Sequence, residues 1–70
     1  MTTVKIAKTN TLQTLDRGLL ALNLISKTSG GLTIAHLASE LGIHRAIAYR
    51  LITTLEQHGL IARTRDGRIV

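Results

Sequence analysis

Ala46, Tyr49, Arg50 and Thr53 recur at i, i+3, i+4 and i+7, the spacing that gathers residues on one face of an α-helix. That face offers a methyl, a phenol, a guanidinium and a hydroxyl. Arginine forks onto the paired acceptors of guanine or onto a phosphate. Hydroxyls donate and accept at base edges, and alanine lets a backbone come close. Arg45 brings a second cation to the start of the same stretch. On the opposite face Ala48, Leu51, Ile52 and Leu55 repeat the spacing with apolar side chains, as a helix packed on a core requires. The stretch from Gly42 to His58 therefore reads as a DNA recognition helix, and the rest of the chain must position it.

Other chemistry finds few residues to work with. Ser26, Ser29 and Ser39 lack the neighbouring histidine and acid of a nucleophilic triad. The four acids, Asp16, Glu40, Glu56 and Asp66, are spread over different elements, and each reads as a surface charge. His36, His44 and His58 show no metal-ligand spacing, and no glycine-rich phosphate loop or dinucleotide fingerprint occurs. An enzyme, a bound cofactor and a metal site are not expected.

Seventy residues make one small domain. Such a chain buries only roughly 60% of the surface it exposes when unfolded. Without cysteine it has no disulfide or thiolate site to reinforce it. Proline, tryptophan and phenylalanine are also missing, so the core must be aliphatic, which suits a compact helical domain. Nine Lys and Arg against four Asp and Glu give a net charge of +5, a balance that favours a polyanionic partner. Arg45, Arg50, Arg63, Arg65 and Arg68 all fall in the last part of the chain. No apolar run is long enough to span a membrane. The first residues carry Lys5 and Lys8 without the apolar core of a secretory signal, so the expected compartment is the cytoplasm.

In chain order, residues 1–11 are expected to form a disordered arm and 12–70 the folded domain. Asn10 with Gln13 resembles a capping box for a first helix from about Leu12 to Lys27. Leu12, Leu15, Leu19 and Leu22 form one apolar face of that helix; Leu20 and Leu24 form a second, which reads either as a dimer surface or as further internal packing. Thr28 to Gly31 turns the chain. Thr33 is placed to cap a second helix over Ile34 to Leu41, and Gly42 to close it. Helix, short glycine-containing turn, helix is the helix-turn-helix layout, with Ile43 as the apolar plug. The third helix has no Ser, Thr, Asp or Asn at its start, leaving its first N–H groups for phosphate or water. Leu60 to Thr64 and Arg68 to Val70 read as short strands around an Asp66-Gly67 turn. The expected fold is mainly α: a three-helix winged helix-turn-helix with a short β-hairpin wing.

These segments resemble the amino-terminal domain of the IclR-type bacterial transcription regulators. The family's opening SLxRALxLL is similar to Thr14 through Leu22, and its LTLxELAxxLGL to Leu32 through Ile43. Its PKSTAHRLLxTLExxGxV is similar to His44 through Ile61, with Ala48, Arg50, Leu51, Thr54, Leu55, Glu56 and Gly59 identical. Its wing turn DGRYxLG resembles Asp66 through Val70. The resemblance implies a sequence-specific binder of double-stranded DNA. It would act as a homodimer on an inverted-repeat operator of a small-molecule catabolic operon. A carboxy-terminal domain, absent from this chain, would bind the small-molecule effector. The implied DNA-binding residues are Arg17, His44, Arg45, Ala46, Ile47, Tyr49, Arg50, Thr53, Arg65 and Arg68. Where the family has Pro, Lys, Ser and Thr this chain has His44, Arg45, Ala46 and Ile47. Either phosphate contacts are then fewer, or Ile47 or Ala46 meets a thymine methyl, or Ile47 tucks toward the core beside Leu51. The alternative from a different class is a winged-helix protein-interaction module that uses Leu20 and Leu24 and not DNA.

Overall fold

A computed structural model describes residues 10–70. The arm expected over residues 1–11 lies outside the described residues as far as residue 9. Thr11, expected within it, is described, and its hydroxyl donates to Asp16 Oδ2 at 2.8 Å. Three helices follow: α1 over Gln13–Lys27, α2 over Ile34–Leu41 and α3 over Arg45–Gln57.

Local signals explain most of these boundaries. Thr33 accepts a hydrogen bond from His36 N at 3.1 Å and caps α2 as its sequence position suggested. Gly42 ends α2 in the left-handed region, φ 67° and ψ 37°, where a side chain would be strained. Helix α3 closes with Gly59 N on Glu56 O at 2.9 Å and Leu60 N on Leu55 O at 3.0 Å, a Schellman arrangement. The start of α1 differs from expectation. Its N-cap is Leu12, with no side-chain cap, so Asn10 and Gln13 do not form a capping box.

The inward face of α1 also differs. Gly18, Ala21 and Ile25 are its buried residues, while Leu12, Leu15 and Leu19 lie exposed. Gly18, Ala21, Leu22 and Ile25 share a stripe of their own at i, i+3, i+4 and i+7, and it carries smaller residues than the leucine face. Leu22 and Leu24 pack partly against the core, and Leu20 stays exposed.

Ala21 and Ile25 join Leu32, Leu37, Ile52, Ile61 and Ile69 in the central cluster. Among the described residues, no polar or charged residue is buried. Full burial of a Leu or Ile side chain contributes about 1.5–3 kcal/mol, so the four that are fully enclosed, Leu32, Leu37, Ile52 and Ile69, dominate this small core.

No β-strand occurs among the described residues; isolated antiparallel bridges join Leu32 to Ile69 and Arg63 to Ile69. Ala62 and Val70 also exchange backbone bonds at 3.0 and 2.9 Å. The short strands expected over Leu60–Thr64 and Arg68–Val70 do not form, so the β-hairpin wing is not confirmed; Leu60 N instead bonds Leu55 O at the end of α3. The Asp66-Gly67 turn is present: Gly67 has φ +86°, and Thr64 N bonds Arg68 O at 2.8 Å.

Candidate nucleic-acid interface

Helix α3 meets the rest of the fold through Ala48, Leu51 and Ile52, all buried, which leaves its opposite face outward. Arg45, Ala46, Tyr49 and Arg50 are exposed on that side, and Thr53 is half-buried. No ion pair among the described residues engages Arg45 or Arg50. Ile47 is 37% exposed and is not part of the central core cluster. It lines a cleft of about 260 Å³ together with Thr14, Arg17, Arg50, Leu51 and Thr54. Arg17 of α1 and Arg50 of α3 therefore converge on one opening flanked by two hydroxyls, a cationic setting suited to a phosphate.

His44 sits at the N-cap of α3 with extended backbone, φ −70° and ψ 151°, and makes no side-chain cap bond. The first N–H groups of α3 thus have no side-chain acceptor at the cap, although Ile47 N bonds His44 O at 3.1 Å. This end of the helix combines the positive pole of the helix dipole with a cation.

The arginines after α3 fall into three different situations. Arg65 is exposed at the turn and has no ion pair among the described residues. Arg68 is partly committed to the fold: Nη1 donates to Gly31 O at 3.2 Å, and Nε lies 3.8 Å from Asp66 Oδ2. The Thr64 hydroxyl donates to Asp66 Oδ1 and, with the nearby Arg68 cation, holds the Asp66 carboxyl below its ordinary value of 3.8.

Arg63 turns back onto α3. Its guanidinium carbon lies 4.9 Å from the centroid of the Tyr49 ring, and its Nη2 donates to Thr53 Oγ1 at 3.2 Å. Its Nε is 3.2 Å from Glu56 Oε1 but is buried and misaligned for a hydrogen bond, so that contact is an ion pair by proximity alone. Tyr49, Thr53 and Glu56 stand at i, i+4 and i+7 and together seat this one side chain. The sequence placed Arg63 on the expected strand before the Asp66-Gly67 turn and did not reveal this seat. The available signal was Glu56, which continues the Tyr49 and Thr53 row with a charge opposite to that of Arg63.

Among the described residues, no group of three His, Asp or Glu side chains could hold a metal ion. Nor is any described helix long and apolar enough to cross a membrane.

Known proteins align with this same region. The IclR helix-turn-helix domain family matches residues 14–65, from the first turn of α1 to the turn after α3. The transcriptional repressor IclR of Escherichia coli (strain K12) is 34% identical over 53 residues, which cover 76% of this chain and 19% of that protein. The acetate operon repressor of Salmonella typhimurium (strain LT2) matches with the same identity and coverage. The aligned region thus spans about a fifth of the length of these curated relatives. No solved structure matches the chain significantly.

Proposed function

Because the chain belongs to the IclR helix-turn-helix domain family, we propose that it is a sequence-specific reader of double-stranded DNA within a transcription regulator. One observation carries this reading. The outward face of the third helix in a helix-turn-helix holds Arg45, Ala46 and Arg50 exposed, the two arginines without ion pairs among the described residues, next to Arg17 from the first helix. Entered into a major groove, this face brings Ala46, Ile47, Tyr49, Arg50 and Thr53 to base edges. His44, Arg45 and the uncapped start of α3 face phosphate, as does Arg17. Arg65 and Arg68 act as wing contacts that fix register, Arg68 at the cost of its bond to Gly31. A non-enzymatic role follows from the same reading.

The chain acts as a homodimer on an inverted repeat. Leu20 and Leu24 supply the apolar contact in the reading drawn from the sequence, and the exposure of Leu20 supports its part in that role. Leu12, Leu15, Leu19 and Leu60 form a second exposed apolar surface along a cleft between α1 and α3. In the longer protein a further domain binds a small-molecule effector and regulates a catabolic operon from the cytoplasm.

Selection of bound duplexes from a random pool at two salt concentrations tests this function. A short palindrome, bound less tightly as salt rises, is the expected result. Absence of binding at low salt overturns it in favour of a protein-interaction module built on the exposed leucines.

A further inference from the structure

Tyr49 is the chain's only aromatic residue, and half of it is open to solvent on the outward face of α3. A phenol so exposed ordinarily samples several rotamers, and each one lost on binding reduces affinity. Here one face of the ring is covered by the Arg63 guanidinium at 4.9 Å. That guanidinium is itself fixed in three ways. Its Nη2 donates to Thr53, Glu56 lies beside its Nε, and the backbone of residue 63 is bridged to the fully buried Ile69. The buried Nε has no aligned acceptor, which is unfavourable, so the ring contact, the Thr53 bond and the Glu56 charge together must outweigh that cost. With Glu56 beside it, Arg63 also adds little net charge to the outward face. It therefore differs in kind from Arg65, which is exposed and has no ion pair among the described residues.

We propose that Arg63 is a positioning residue that holds the Tyr49 ring in one orientation on the recognition face and thereby sets the base preference read by Tyr49. The proposal rests on the DNA-binding reading above. Lysine cannot replace Arg63 fully, because a point-charge ammonium lacks the planar fork that lies over the ring while donating to Thr53.

The test uses the intact chain and two readouts. With one tyrosine and no tryptophan or phenylalanine, its near-ultraviolet circular dichroism reports Tyr49 alone. Arg63→Gln is expected to collapse that signal in the free protein, and Arg63→Lys to restore it in part. In duplex selection, Arg63→Gln and Tyr49→Ala are expected to relax preference at the same base pair, each by roughly fivefold. The double variant should be no worse than either single one, and the salt dependence should not change. Glu56→Gln loosens the seat without altering residue 63 and should shift the same preference, so poor folding of Arg63→Gln does not shield the proposal. An unchanged tyrosine signal in Arg63→Gln overturns it. So does a uniform loss of affinity with a shallower salt dependence, which marks a phosphate contact. A parent chain that selects no sequence defeats the DNA reading itself, and the specificity role with it. The tyrosine signal distinguishes that failure from a failure of Arg63 to hold the ring.

Discussion

Leu32 and Ile69 exchange both of their backbone hydrogen bonds, at 3.0 Å and 2.7 Å, and both side chains are fully buried. The pair clasps the turn after α1 to the last residues of the chain. α2 and α3 lie between the two halves of the clasp in sequence, so the pair closes the loop that contains the whole helix-turn-helix. Gly31 sits hard against it. A Cβ there would lie 2.7 Å from Ile69 O and 2.8 Å from Val70 Cγ1, and its φ is +87°.

Gly31→Ala is therefore expected to lower stability by about 2 kcal/mol or more, through strain and displacement of the clasp together. The same substitution at Gly18 should act in the opposite direction. Gly18 lies inside α1, and nothing stands within 4 Å of the Cβ it would gain. Alanine there should add about 0.5–1 kcal/mol by restricting the unfolded chain and favouring the helix. Urea unfolding of both variants checks the pair of signs.

Arg50→Ala and Arg65→Ala should weaken DNA binding in different ways. Loss of Arg50 is expected to cost about 1–3 kcal/mol and to blur preference at one position. Loss of Arg65 should weaken all duplexes alike and flatten the dependence on salt. Titrations of cognate and scrambled duplexes at several salt concentrations separate these outcomes. An Arg50→Ala protein that binds its operator as tightly as the parent removes that residue from the groove.

His44→Asp should uncouple stability from binding. Aspartate at this N-cap can accept from the free N–H groups of α3 and should stabilise the fold by about 1 kcal/mol. The same charge would repel phosphate at the helix start, so affinity should fall roughly tenfold. Thermal unfolding and a binding titration on one sample give both numbers. Unchanged affinity would mean that this end of α3 does not meet the backbone of DNA.

The Asp66 turn should be sensitive only to acid. The folded-state pKa of Asp66 lies below 3.8, so its stabilising effect is fully present above that value. The effect is lost as pH falls through the lowered folded value. The Thr64 hydroxyl is the largest cause, so Thr64→Val should move the Asp66 titration upward toward 3.8 in an NMR titration of its carboxyl group. A curve that does not move assigns the shift to the backbone N–H groups of the turn and the Arg68 charge.

Much of the framework could be read from local signals. Thr33, Gly42 and the Asp66-Gly67 turn act on their own few residues, and each does what its residue type favours. The inward face of α1 was less readable, because leucines outnumber the smaller residues and pattern counting follows the larger side chains. Packing chose Gly18, Ala21 and Ile25 instead. The seat of Arg63 was hidden for another reason. It joins residues ten positions apart across a change of chain direction, and helical periodicity says nothing about such a pairing.

The interior described above is built from alanine, leucine and isoleucine, with no polar residue enclosed among the described residues. Contacts of that kind have no direction, so one aliphatic side chain replaces another of similar volume at small cost. Over evolutionary time such a core can drift freely while the molecule keeps its shape. Ancestry should then be written in the turns, the caps and the outward row of α3, and two descendants with interchangeable cores can still read different operators.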